Sequence, residues 1–146
     1  MNINLKCPNC GTVAAVAASD GMEKLKLACP HCKTTELVGE YLPKLSLQTG
    51  TEKYQLRFGK QWVGRRSEGN DAEVQMSDPT RYMSRRHVLL QICCTAQGLR
   101  VTMEEHGKNP TELQGVELME DDIVYLNVND CLKMGDRRMY LANEYE

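Results

Sequence analysis

Two Cys-x-x-Cys pairs, Cys7-Pro8-Asn9-Cys10 and Cys29-Pro30-His31-Cys32, govern what the first forty residues can become. Two thiolates three positions apart on a tight turn can both point at one ion, and a proline inside each turn fixes φ. Gly11, directly after the first pair, relieves crowding there. Brought face to face, the two turns offer a tetrahedral set of four sulfurs, which suits Zn2+. Four cysteines leave no open coordination position. One structural zinc held by Cys7, Cys10, Cys29 and Cys32 is therefore expected, and His31, inside the second turn, is a bystander. A segment this short buries too little apolar surface to fold alone, and metal binding supplies the deficit. A dithiol redox centre is the competing chemistry, but two matched pairs fit a metal better than one active disulfide.

Between the pairs, residues 13–18 and 22–28 read as short strands joined by Ser19-Asp20-Gly21. The doubled Cys-x-x-Cys, over about residues 1–40, resembles a zinc ribbon. Lys6, Lys24, Lys26 and Lys33 make this segment slightly basic, but it has no aromatic residue on which a base could stack. Its residues therefore argue against nucleic-acid binding, and a surface for docking another protein fits at least as well. Residues 41–44, Tyr-Leu-Pro-Lys, form the expected join, because Pro43 holds Leu42 extended and has no N–H of its own.

From Leu45 the pattern changes to many short strands separated by turns. Residues 54–58 alternate with period two; Gly59-Lys60, Gln97-Gly98 and Gly135-Asp136 supply turns. Residues 87–95 are apolar on both parities (Val88, Leu89, Leu90, Ile92), which suggests a strand covered on both faces. With no helix-period segment between them, such strands imply an all-β antiparallel sandwich or barrel over residues 45–142, preceded by the small zinc module.

Three fragments carry polar chemistry: Gly64-Arg65, Ser84-Arg85-Arg86-His87 and Gly107-Lys108-Asn109-Pro110-Thr111. Their order and spacing resemble the forkhead-associated (FHA) domain, a β-sandwich that binds phosphothreonine in partner proteins. The resemblance implies that Arg65 and Ser84 hold the phosphate, and that Arg85 and Asn109 orient the peptide. It also implies structural roles for Gly64 and His87. Lys108 stands where the family often has Ser or Thr, and its charge could reach phosphate. Pro110 stands where the family has Gly, and it biases Asn109 towards an extended backbone. Asn70-Asp71-Ala72-Glu73-Val74 resembles the segment that follows the family's Gly-Arg strand.

The implied function is a non-catalytic phosphopeptide-binding module whose partner is a substrate of a Ser/Thr kinase. The alternative is a scaffold whose sandwich binds an unphosphorylated partner. No paired catalytic carboxylates, nucleophile–base set or Gly-rich phosphate loop opening a helix can be found, so no enzyme is expected. A net charge of −2 argues against a general nucleic-acid surface or a polybasic membrane anchor. No apolar run approaches a membrane span and no secretory signal is visible, which makes a cytoplasmic location the expectation. Of the remaining cysteines, Cys93 and Cys94 should point to opposite faces of one strand, and Cys131 should lie in the core. His106, beside Glu104 and Glu105, should form a local ion pair.

Overall fold

In the computed structural model, which describes residues 1–144, every regular element is a β-strand apart from two 3-10 turns. The N-terminal part holds β1 (Asn2–Lys6), β2 (Val13–Ala17), β3 (Lys26–Ala28) and β4 (Thr35–Leu37), with the 3-10 turns at Met22–Lys24 and Val38–Glu40. β1 pairs antiparallel with β2, and β3 with β4, so each hairpin closes around its own Cys-x-x-Cys turn. The sequence suggested instead that residues 13–18 and 22–28 were two strands joined at Ser19-Asp20-Gly21. What diverts the chain is Gly21, whose φ of +71° leads into the first 3-10 turn. That turn buries Met22 and Glu23, and the Glu23 carboxylate accepts a hydrogen bond from the Cys94 amide at 2.9 Å. The segment is thereby pulled into the body of the protein.

The remaining strands are β5 (Leu45–Gln48), β6 (Lys53–Gln55), β7 (Gly59–Arg65), β8 (Val74–Met76), β9 (Val88–Thr95), β10 (Gly98–Glu105), β11 (Glu112–Leu113), β12 (Val116–Glu117), β13 (Ile123–Leu126), β14 (Cys131–Met134) and β15 (Arg137–Asn143). They form two sheets, ordered β13-β10-β9-β7-β8 and β12-β11-β14-β15-β5-β6. All pairings are antiparallel except β7 with β8, which run parallel. The two sheets enclose one core of Leu47, Val63, Met76, Val88, Leu90, Met103, Met134 and Leu141, each essentially without solvent exposure. The whole chain has one Phe and one Trp, so methionines fill the volume that aromatic rings would otherwise take.

β9 does not have two covered faces. Val88, Leu90, Ile92 and Cys94 are buried, whereas Leu89, Gln91, Cys93 and Thr95 are half-buried or exposed. Period two holds after all, and Leu89 is the residue that obscured it. Cys93 and Cys94 do face opposite sides. Cys131 is exposed and not in the core; on β14 the inward positions are Leu132 and Met134.

Cys94 does not join the sandwich core. It belongs to a second apolar cluster with Leu5, Cys7, Met22, Cys29, Val38, Tyr41 and Leu42, against which Phe58 and Leu99 of the sandwich also pack. Leu42 is fully buried, worth about 1.5–3 kcal/mol for such a side chain, and the Tyr41 hydroxyl donates to the Leu27 and Thr34 carbonyls. The expected join at 41–44 therefore begins inside this packing. The Ala96 amide donates to Asp20 Oδ1 at 2.8 Å and the Gly21 amide to the Cys94 carbonyl at 2.9 Å, so the turn between β9 and β10 is bonded to the N-terminal part.

Candidate functional site

Three loops meet at one end of the sandwich, and the sequence at each explains why. β7 ends at Arg65, whose amide donates to the Ser84 carbonyl at 2.9 Å. Gly64 lets the two segments touch: a Cβ there would lie 1.7 Å from the Arg85 carbonyl oxygen, so no side chain fits. The Asn70 side chain fastens the same junction, donating to the Arg65 carbonyl (2.8 Å) and the Arg85 carbonyl (2.9 Å). The sequence resemblance covers residues 70–74 but does not imply this clamp, and nothing in the local pattern signals one.

Ser84 joins the second loop to the third. Its amide donates to His87 Nδ1 at 3.0 Å, and its Oγ accepts from the Lys108 amide at 2.9 Å. The hydroxyl proton is left free to donate outward. Next along the chain, Asn109 Nδ2 donates to the Tyr82 carbonyl at 2.9 Å. Ser84 is thus hydrogen-bonded to the Arg65 and Lys108 backbone amides, and Asn109 ties the third loop to the second through Tyr82. Arg65 is half-buried and uses only Nε internally, on the Met83 carbonyl at 3.1 Å; its two terminal amines have no partner among the described residues. Arg85 and Lys108 are exposed, and neither side chain has a carboxylate partner among them. Arg86 differs: Asp71 holds it at 2.7 Å, and its guanidinium lies 5.3 Å from the Trp62 ring centre.

Beneath the third loop lies a buried polar assembly that the sequence did not reveal. Glu105, 1% exposed, accepts from the Gly107 amide (2.9 Å), the Thr111 amide (2.5 Å) and the Thr111 hydroxyl (3.1 Å). Read as part of an acidic surface loop, Glu105 in fact shares the inward parity of Val101 and Met103 on β10, which is the signal that could have found it. Gly107 is obligatory here, since a Cβ would meet the His87 ring at 2.3 Å. His87 is fully buried and serves as the post between the loops. Outside this assembly, His106 lies 2.7 Å from Glu104 and 3.5 Å from Asp121, the local ion pair the sequence suggested. An open groove of 440 Å³ beside Ser84 is lined by Lys108, Pro110, Leu118 and Glu120.

Burial pushes the His87 imidazole below its ordinary value of 6.5, against the opposing pull of Glu105 and Asp78. The unfolded chain then takes up a proton near pH 6.5 while the folded one does not, so stability is complete above that pH and falls as the pH drops towards the folded value. The expected result is a His87-dependent fall of up to about 1.4 kcal/mol per pH unit below 6.5. Urea unfolding at stepped pH measures it, with His87→Gln as the chain that lacks this component.

At the other end, the four cysteine sulfurs lie within 4.8 Å of one another, with Cys7 and Cys32 3.6 Å apart and Cys10 and Cys29 3.7 Å apart. A tetrahedron of sulfurs about 2.3 Å from a central zinc has edges of about 3.8 Å, so the set fits that ion. Hydrogen bonding with the Asn9 side chain and with Thr34 pulls the Cys32 thiol down to about 5, favouring the thiolate a metal needs. Cys7 and Cys29 are buried, Cys10 exposed. A second group, Glu104, His106 and Asp121, also places ligand atoms close together, but on the surface.

No family model matches the sequence, and no curated protein matches it either. Solved structures do. The yeast Pml1 splicing factor aligns with a TM-score of 0.58 at 18% identity, over 69% of this chain and 78% of its own. The MEK1 FHA domain in complex with a HOP1 phosphothreonine peptide aligns at 0.56 and 18%, over 68% and 96%. The FHA domain of the CT664 protein from Chlamydia trachomatis aligns at 0.55 and 21%, over 68% and 97%. The sandwich has the FHA fold. In this FHA sandwich the loops that carry Arg65, Ser84 and Asn109 gather at one end of the two sheets.

Proposed function

We propose that the chain is a non-catalytic module that binds phosphothreonine in a partner protein, the product of a Ser/Thr kinase. The observation that carries this reading is that hydrogen bonds from the Arg65 and Lys108 amides to Ser84, and from Asn109 to Tyr82, gather three loops while the Arg65 terminal amines and the Lys108 ammonium stay open. Arg65 would offer its two terminal amines to phosphate oxygens, a planar fork suited to that geometry. Ser84 would donate its hydroxyl, and Lys108 and Arg85 would add charge from either side. Asn109 would meet the peptide backbone through its remaining amide atoms. Gly64 and His87 serve only to hold the loops. Two structural neighbours support the reading: the MEK1 FHA domain is bound to a phosphothreonine peptide, and another neighbour comes from work on phosphothreonine-dependent FHA interactions.

The four cysteines would hold one structural zinc, which brings the two hairpins together beside the sandwich. Zinc supplies no chemistry to the loop site in this reading. The rival reading is a scaffold that binds an unphosphorylated partner, favoured by one contact: the Asn109 amide is already engaged by Tyr82. A phosphothreonine peptide library, read by fluorescence polarisation with unphosphorylated peptides alongside, separates the two. Binding that vanishes on phosphatase treatment and fades with salt supports phosphate recognition; equal binding of both peptide sets supports the scaffold.

A further inference from the structure

Beside the loop site, a long cationic side chain is held on a backbone conformation that such residues avoid. Arg81 has φ +61°. Left-handed backbone is uncommon outside glycine and is tolerated mainly by Asn and Asp. The other described non-glycine residues that adopt it have local reasons. Asp121 and Asn129 are of the tolerant types. Lys33 closes the second Cys-x-x-Cys turn and donates to the Pro30 carbonyl, and the Gln114 side chain accepts from the Cys131 amide. Arg81 is exposed, and its guanidinium has no partner among the described residues. The buried Asp78 carboxylate fixes its backbone. One carboxylate oxygen accepts from the Thr80 hydroxyl (2.6 Å) and amide (3.2 Å), and the other from the Met83 amide (2.7 Å). The Arg81 amide itself donates to the Asp78 carbonyl at 3.1 Å. Met83 is buried as well, so Arg81 and Tyr82 form an exposed tip between two anchors. Strain that the surroundings enforce points to a task for the side chain it presents.

That tip belongs to the site, because the Tyr82 carbonyl is the acceptor for Asn109. With Arg81 added, the charge there exceeds what one phosphate answers. Arg65, Arg81, Arg85 and Lys108 carry four positive charges, with no carboxylate in contact among the described residues. A phosphothreonine brings only about −1.5 to −2. Arg86 shows the contrast, since Asp71 neutralises it at 2.7 Å. Glu120 lines the groove together with Lys108, which leaves the excess with Arg81 and Arg85. Lys60 and Arg100 also lack an ion pair, but each stands singly on a regular strand, β7 and β10, and not on a loop bonded to the site. In a chain of net charge −2, cations gathered in this way are complementary to a ligand with more than one anionic group.

We infer that the site takes a phosphothreonine segment bearing a second anionic group, a carboxylate or another phosphate on a flanking residue, which Arg81 meets. The inference rests on the phosphothreonine reading and narrows its ligand. Fluorescence polarisation on the zinc-loaded full chain tests it with a phosphothreonine peptide set among alanines. In companion peptides, one flanking alanine at a time becomes Glu or a second phosphothreonine, and an unphosphorylated Glu series runs alongside. At a flanking position within reach of Arg81, Glu is expected to tighten binding roughly fivefold, and a second phosphate roughly tenfold or more. A gain from both assigns an acidic segment in general; a gain from phosphate alone assigns a doubly phosphorylated one. Arg81→Ala should abolish the gain and leave affinity for the alanine peptide little changed. Arg81→Gly should do the same while keeping or raising the denaturant midpoint, since glycine adopts this φ without strain. Arg100→Ala removes an equal charge from β10 and should keep the gain. A flanking anion that adds nothing to the phosphothreonine peptide, or a gain retained in both Arg81 variants, overturns this inference alone. Equal binding of the phosphorylated and unphosphorylated Glu peptides overturns the phosphothreonine reading with it.

Discussion

Chelating zinc from the full chain is expected to unfold the N-terminal hairpins while the FHA sandwich keeps its strands. Cys7 and Cys29 are not merely ligands at the edge of the second apolar cluster; they are buried members of it. The strands around them are three to five residues long, and four thiolates within 4.8 Å of one another repel unless a cation lies between them. Disulfides would need sulfurs about 2.05 Å apart, a different closure of the same turns. Structural zinc in small peptides is worth about 10–16 kcal/mol, far more than the apolar contacts of a forty-residue segment can replace. Cys29→Ser should behave as the chelated chain does, with zinc content falling from one to none. Hydrogen exchange reads the outcome locally: the Cys94 and Ala96 amides, held by Glu23 and Asp20, should lose protection while β9 residues deeper in the sandwich keep theirs. Retained protection at both amides after chelation would show that the hairpins stand without metal.

Gly64→Ala is expected to disable the loop site and destabilise the sandwich together. The added methyl would sit 1.7 Å from the Arg85 oxygen, 2.3 Å from its carbonyl carbon and 2.9 Å from the Ser84 oxygen, all backbone atoms with no rotamer to escape by. The strand end and the Ser84 loop must separate, breaking the Arg65–Ser84 backbone bond and the Asn70 clamp across the same gap. Overpacking of this kind costs roughly 1–3 kcal/mol and occasionally more, and here the contact is with main chain on both sides. Denaturant midpoint and peptide affinity should therefore fall together. Gly50→Ala, where a Cβ meets nothing within 4 Å, should stay within about 0.5 kcal/mol of the wild type.

What the sequence made legible follows from which interactions are local. The two Cys-x-x-Cys turns are self-contained, and the four sulfurs stand together as their spacing implied. Ser84 and His87 lie three residues apart, and the bond from the Ser84 amide to His87 Nδ1 is one short loop closing on itself. The sandwich was legible from alternation and turns. Hairpin partners were not, because Gly21 and a buried Glu23 redirect the chain through contacts with Cys94, seventy-one positions away. Glu105 was missed because a charged residue in an acidic run reads as surface, although three hydrogen bonds make its burial tolerable. Cys131 misled in the other direction: cysteine is most often buried, but the parity of β14 turns it outward.

Affinity for one matched pair of peptides, phosphothreonine and threonine, measured on the wild type and on Arg65→Ala, tests the phosphate reading most directly. The account predicts phosphate-dependent binding by the wild type and a loss of roughly 10- to 150-fold in the variant, the value of one or two charge-assisted hydrogen bonds. Because Arg65 holds the fold through its backbone amide and only one side-chain nitrogen, Arg65→Gln gives a second variant with the same expected loss. Undiminished binding by both folded variants, or equal affinity of the wild type for the two peptides, would contradict it.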